Sequence, residues 1–357
     1  MTRTVRAMSK GTVGMDAQYA RYHLDALARA LSSDRLHLIL MPTEKCNFRC
    51  VYCYEDFLQG KMPQSVWSGV YSLLDKRIEE LKELEISWFG GEPLLNYNLI
   101  VKTSRYITDL LVQKNIKCNY RASMSTNGSL LTLKRLDELS AIGVKTFQIS
   151  LDGTEKFHDN TRVKVNKTGS FFDIWNNLIS FKDSDSDFEI SLRIHVHQKN
   201  IADIEVLCDR LLKIFGDDDR FRVFFKAIEK LGANESGLSL MGRSADDVIS
   251  KFKRKIEGTT LHVEPSRYKS YCYASHANSF VIRSNGDVAK CTVDFNNPAN
   301  KLGKLTSNGG LLVSNDLLRL WVQGILEGGE HSAKCPLGLV NKEYLKIPTA
   351  IKIIHPS

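Results

Sequence analysis

From Arg35 to about Glu229 the sequence alternates short β-rich runs with amphipathic helical stretches, and this rhythm constrains the fold more than any other feature. The pattern predicts strands over residues 36–41, 85–89, 119–125, 146–151, 189–197 and 220–228. Helical patterns lie between them at 64–84, 99–113, 131–141, 171–181 and 201–214, with Pro63 suited to a helix start and Gly143 and Gly216 to helix exits. Strict strand–helix alternation implies a parallel sheet covered by helices. Six repeats fall short of the eight that close a TIM barrel, so a partial, open (β/α)6 barrel is the expected architecture.

The flanks read differently. Residues 1–34 suggest an extension with one amphipathic helix, Ala17–Leu31, and residues 35–230 the barrel. Beyond 230 a loop-like stretch (Gly232–Gly237) leads to two strands, 279–283 and 287–292, around Asn285-Gly286, a hairpin signal, and then to a helix at 316–327. Residues 231–357 are thus expected to form a smaller C-terminal unit, whose last twenty residues give no clear pattern. No apolar run has the roughly 18–20 residues of a membrane span, and no secretory signal stands at the N-terminus, so the cytoplasm is the expected compartment. The net charge of +8 does not gather into one block; it reads as a solvated surface rather than a nucleic-acid footprint.

The first predicted strand is followed at once by Cys46-Asn-Phe-Arg-Cys50-Val-Tyr-Cys53, at the strand end where active sites of barrel-type folds assemble. A disulfide framework does not suit a reducing compartment, whereas tight cysteine spacing suits metal. Structural zinc wants four ligands, and no fourth Cys or His lies nearby. Three thiolates around a cubane leave one iron open, unlike the four-cysteine set of an electron carrier. Cys118 and Cys208 stand alone in apolar segments and read as core thiols. Further motifs close the next strands: Gly90-Gly91-Glu92-Pro93, Ser125-Thr-Asn127-Gly, and Ser150-Leu-Asp152-Gly leading to Arg162. His195 and His197 share one face of the fifth strand.

CxxxCxxC with Tyr52 before its last cysteine, followed by these motifs in order, resembles the radical S-adenosylmethionine (SAM) superfamily. The resemblance implies a [4Fe-4S] cluster on Cys46, Cys50 and Cys53 whose open iron chelates SAM, with Tyr52 at the adenine. It further implies that Gly90, Gly91 and Glu92 hold the SAM amino group. Ser125, Asn127, Ser150 and Asp152 then lie near SAM polar groups, and Arg162, with Arg193 as a second candidate, pairs with its carboxylate.

Cys272, Gly286 and Cys291 are spaced like the start of a SPASM/twitch auxiliary-cluster domain, but only Cys335-Pro336 follows where a full SPASM domain has several more cysteines. The resemblance therefore implies one auxiliary cluster on Cys272, Cys291 and Cys335. It reaches over roughly residues 35–340 and includes maturases of ribosomally made peptides (RiPPs), anaerobic sulfatase-maturating enzymes and small-molecule dehydrogenases. Sulfatase maturation usually places Asp directly after the cysteine matching Cys291; here Thr292 stands there, and Asp294 is the nearest carboxylate and the candidate base. The leading expectation is a peptide maturase that abstracts a hydrogen from a RiPP precursor and draws electrons from a donor such as flavodoxin or ferredoxin. A small-molecule dehydrogenase or epimerase, a sulfatase-maturating enzyme, and a non-enzymatic iron–sulfur carrier are the alternatives.

Overall fold

The computed structural model describes residues 17–228, 241–262, 271–327 and 335–345. The expected loop at 232–237, the first sixteen residues and most of the last twenty lie outside them.

Six strands carry the alternation: β1 (Arg35–Leu40), β3 (Glu83–Trp88), β4 (Asn119–Thr126), β5 (Val144–Leu151), β7 (Glu189–Val196) and β8 (Phe221–Ala227). They run parallel and stand side by side in chain order. Helices α2 (Gln64–Arg77), α3 (Tyr97–Gln113), α4 (Leu133–Ala141), α6 (Phe171–Ser180) and α7 (Ile201–Phe215) provide the crossovers. Leu38, Leu84, Phe147 and Ile190 on the strands and Leu74, Ile100, Leu136, Ile174 and Leu211 on the helices are all buried in one core. Both faces of β1 are covered, so every residue from Leu36 to Leu40 is buried, His37 included.

Three local elements depart from the expectation. The helix expected over 64–84 ends at Arg77 in a short 3-10 turn, and β3 starts two residues early, at Glu83. A seven-residue helix, α5 (Glu155–Thr161), was hidden in a polar stretch. Most consequential is a two-stranded antiparallel sheet between β2 (Phe48–Cys50), inside the cysteine motif, and β6 (Arg162–Lys164). Strands this short leave no periodicity to read.

The C-terminal segment continues the same sheet. β9 (Ser279–Ile282) pairs parallel with β1, and β10 (Asp287–Ala289), β11 (Gly303–Leu305) and β12 (Leu311–Val313) follow antiparallel, giving ten strands in all. The Asn285-Gly286 turn forms as the sequence indicates, with Gly286 at φ 85°. Helices α8 (Ala245–Ile256), α9 (Asn315–Leu326) and α10 (Leu337–Tyr344) complete the described fold. N-terminal α1 (Ala17–Leu31) has the expected bounds, and its Ala30 packs against Tyr271 and Ile325. A buried ion pair joins the start of the chain to this segment: Arg283 donates to the fully buried Glu44 carboxylate at 2.5 and 3.2 Å, and Ser284 adds backbone and hydroxyl donors. No described helix is long and apolar enough to cross a membrane.

Candidate active site

A cavity of about 460 Å³ opens at the carboxyl ends of the parallel strands, and residues of the first strand (Ile39) and the last (Lys226, Ala227) both line it. The sheet therefore curves round the cavity instead of lying flat.

Cys46, Cys50 and Cys53 all line it. Their loop is anchored on two sides. On one, β2 pairs with β6 so that Cys50 stands opposite Arg162. On the other, the glycine pair after β3 lies directly against the loop. A Cβ on Gly90 would come within 2.3 Å of the Thr43 carbonyl, and one on Gly91 within 2.6 Å of the Lys45 carbonyl. Gly90 also has φ 118°, so both the contact and the backbone exclude a side chain. Burial pushes the Cys46 and Cys53 thiols up to about 12 and raises Cys50 as well. Asn127 Nδ2 reaches the Cys46 sulfur at 3.9 Å and donates to Asn47 at 2.8 Å, an outer contact that orients a ligand.

Glu92 sits elsewhere than the resemblance implies. It is fully buried, outside the cavity lining, and its carboxylate accepts from the Asn127 backbone (2.7 Å), the Leu94 backbone (3.0 Å) and Thr126 Oγ1 (2.8 Å). It braces the glycine turn against the end of β4. Asp152 is likewise fully buried and behind the wall, accepting from Tyr52 Oη (2.9 Å), His195 Nδ1 (3.0 Å) and Thr161 Oγ1 (2.7 Å). Burial raises this carboxyl, but the His195 hydrogen bond and the nearby Arg162 charge outweigh it, so its pKa falls below the ordinary range. His195 is held neutral by burial and donates through Nδ1. Arg162 donates to Tyr52 Oη at 2.8 Å, closing a network that holds the cluster-loop aromatic from three elements.

Ser125, Asn127, Ser150, Arg162 and Arg193 all line the cavity. Arg162 and Arg193 each leave a buried Nε–H without a partner. Two cavity-lining guanidiniums with donors to spare suit a ligand bearing a carboxylate, which a fork of N–H groups can grip bidentately. Glycine backbone, serine hydroxyls, two arginines and three thiols are a donor set that fits SAM on a cluster. Among the described residues no three His, Cys, Asp or Glu side chains converge on one point as around a single ion. A cubane needs something different, since its three thiolates bind three separate irons.

Gln148, Glu55, Tyr54 and Tyr273 also line the cavity and carry no motif that sequence reasoning recognised. Glu55 is the one carboxylate lining it among the described residues; its buried Oε1 lacks a partner, and burial, then the Glu44 charge, push its pKa up to about 8. Asp294 is not brought to this cavity. It borders a small adjoining pocket that it shares with Glu55, and its side chain accepts from Asn297 at 3.0 Å.

Tyr273, Thr292 and Val293, each next to or near Cys272 or Cys291 in the chain, form the C-terminal side of the cavity. Tyr273 Oη accepts from the Thr292 backbone at 3.0 Å and pins that wall. Cys272 and Cys291 are partly buried, with Cys291 pushed up to about 11 by burial, and both lie within electrostatic reach of the exposed Cys335. Cys118 is partly buried against the core and Cys208 wholly buried within it, as expected of packing thiols.

Residues 40–211 match the radical SAM superfamily. An uncharacterised protein of Methanocaldococcus jannaschii is 26% identical over 71% of this chain and 84% of its own length. The cysteine-type anaerobic sulfatase-maturating enzyme of Clostridium novyi is 25% identical over 72% of this chain and 73% of its own. Among solved structures, native anSMEcpe with bound AdoMet and the Kp18Cys peptide is similar with a TM-score of 0.61 at 18% identity, covering 86% of this chain and 88% of that one. Streptococcus suis SuiB bound to its precursor peptide SuiA gives 0.52 at 16% identity, covering 93% and 76%. At these identities the structural likeness speaks for the fold. Strand-end motifs, the thiol-lined cavity and the family match converge on a radical SAM domain over residues 40–211, and the cofactors of that family are a [4Fe-4S] cluster and SAM.

Proposed function

We propose that this enzyme acts on a peptide, most plainly a RiPP precursor, and installs a crosslink, an epimerised centre or an oxidised residue. Cys46, Cys50 and Cys53 would hold a cluster that would supply one-electron reduction of SAM, and with it the radical chemistry needed to abstract a substrate hydrogen. Arg162, with Arg193 beside it, would hold the SAM carboxylate, and the Gly90-Gly91 backbone would lie against its amino end. Tyr52, tied to Asp152 and Arg162, keeps the loop and its ring in place for the adenine.

The observation that carries the reading is the composition of the cavity wall. One part is the cluster loop; another is Tyr273, Thr292 and Val293, close in the chain to Cys272 and Cys291. A substrate in that cavity would lie between the SAM site and an auxiliary cluster on Cys272, Cys291 and Cys335. Two similar proteins are named for peptide or protein substrates, the sulfatase-maturating enzyme and SuiB with SuiA. Glu55, rather than Asp294, is the carboxylate positioned to meet a substrate there. The barrel at 35–230 and the C-terminal unit at 231–357 are read as the SAM-cleaving and substrate-side parts.

The test has two steps. Anaerobically reconstituted enzyme with SAM and dithionite should form 5′-deoxyadenosine; none formed would end the enzyme reading. Co-expression with short peptides encoded beside the gene should then give a mass shift in one of them. Turnover of a small molecule with no modified peptide would favour the dehydrogenase or epimerase alternative.

A further inference from the structure

Lys290, between the end of β10 and Cys291, is fully buried. A lysine is almost never fully buried unless a partner offsets its charge. Its Nζ donates to the Ser279 carbonyl at 2.7 Å and to the His276 carbonyl, and stands 5.1 Å from the centre of the Phe280 ring. Carbonyl dipoles and a ring face solvate an ammonium but carry no net charge. Among the described residues no carboxylate forms an ion pair with it, since Glu83 and Glu85 on β3 are held by Arg35 at 3.4 and 3.0 Å. His37 and His276 feel its charge and are lowered to about 4, by burial first, and a neutral imidazole offsets no cation. The group whose charge favours the ammonium is Cys272, as a thiolate.

Lys290 also joins the two segments that carry the thiols. Its side chain reaches back to His276, in the turn after Cys272, while the backbone N–H groups of Lys290 and Cys291 both donate to the buried Asn300 Oδ1 at 3.0 Å. The Val293 N–H donates to the Cys291 sulfur at 3.4 Å, just as the Phe48 N–H donates to the Cys46 sulfur at 3.3 Å. A sulfur that accepts a backbone N–H, with an unbalanced buried cation near its partner thiol, fits ligation of an anionic iron–sulfur group. We propose that Lys290 is the counter-cation of an auxiliary cluster on Cys272, Cys291 and Cys335 and raises its reduction potential. A fixed positive charge favours the more negative, reduced form of the group beside it, and in a buried place water screens little of that effect. Lys290 does not line the cavity, so it is a positioning residue that acts through the thiols. The inference rests on the auxiliary cluster proposed above and goes beyond it by naming what balances its charge.

The experiment is a potentiometric titration of the full-length, anaerobically reconstituted protein, read by electron paramagnetic resonance with and without SAM, alongside iron content. The signal that SAM leaves unchanged is the auxiliary cluster's; the one that SAM shifts belongs to the SAM-binding cluster and serves as internal reference. Lys290→Gln keeps a donor for the two carbonyls and drops the charge, Lys290→Met drops both, and Lys290→Arg keeps the charge. At a fixed poise the ratio of reduced to oxidised auxiliary cluster should be about tenfold lower in both neutral variants than in wild type, a fall of about 59 mV for one electron. The SAM-binding cluster should not move, and Lys290→Arg should stay close to wild type. Auxiliary iron lost from both neutral variants and kept in Lys290→Arg also upholds the proposal, because the charge is then needed to retain the cluster at all. An auxiliary potential equal in wild type and Lys290→Gln overturns it. So does auxiliary iron lost from Lys290→Arg as fully as from Lys290→Met, which would make the lysine a packing group. A wild type with no signal beyond the SAM-binding cluster's strikes the auxiliary cluster itself, and this inference with it.

Discussion

Asp152 offers a sharp test of how the site is built, because the family resemblance and the structure give it different work. A SAM contact would face the cavity; the observed carboxylate is fully buried behind the wall and holds Tyr52, His195 and Thr161. In Asp152→Asn the amide keeps one acceptor oxygen. If that oxygen takes the donors from Tyr52 and His195, the amide nitrogen faces Thr161, whose hydroxyl can turn to the His158 carbonyl, 3.1 Å away. The two retained bonds drop from charge-assisted to neutral strength, roughly 1 kcal/mol each. Buried Arg162, 6% exposed, also loses its nearest full negative charge among these partners, so the total cost is about 3 kcal/mol. Asp152→Ala leaves two buried donors unmet and costs more. Ser150→Ala, on the cavity side of the same strand end, should cost under about 1 kcal/mol and act on SAM affinity instead. Thermal unfolding of the apoprotein, with iron content after reconstitution, reads the difference: a fall on the order of 5 °C for Asp152→Asn and little for Ser150→Ala. Unchanged unfolding for Asp152→Asn, together with a SAM affinity lowered as far as by Ser150→Ala, would refute the bracing role.

Other expectations follow from the same geometry. Cys50→Ala should abolish 5′-deoxyadenosine formation, whereas Cys291→Ala should lower iron content yet leave uncoupled SAM cleavage partly intact; equal iron in wild type and Cys291→Ala would remove the auxiliary cluster. Glu55→Gln should cut product formed per 5′-deoxyadenosine by about tenfold or more, and Asp294→Asn by little, as measured by parallel quantitation of both products; the reverse order would restore Asp294 as the acting carboxylate. His37 and His158 are buried and held down to about 4, by burial first, against an ordinary 6.5. The unfolded chain therefore binds protons that the native one refuses, so stability is full above 6.5 and falls as pH drops toward 4, by about 3 kcal/mol per group. His37→Gln should flatten that loss in denaturant midpoints measured from pH 7 to 4.5.

The residue pattern alone determined the parallel α/β sheet and the order of the chemistry along it. Six apolar runs at a strand period, separated by helix-period stretches, leave few other ways to bury both faces of a sheet. It also named the thiols, because three cysteines in eight residues at a strand end have few structural uses. Periodicity is local, however, and it could not show β2 and β6, since pairing Cys50 with Arg162 joins residues more than a hundred positions apart. Nor could it separate Glu92 and Asp152, which brace, from Ser125, Ser150 and Arg162, which line the cavity. All five sit in motifs of the same kind, and only the direction of each side chain relative to the wall divides them. Glu55 lies in no motif, and spacing after Cys291 points to Asp294 instead. Which carboxylate faces a cavity is decided by how distant segments pack, and no spacing along one strand end encodes it.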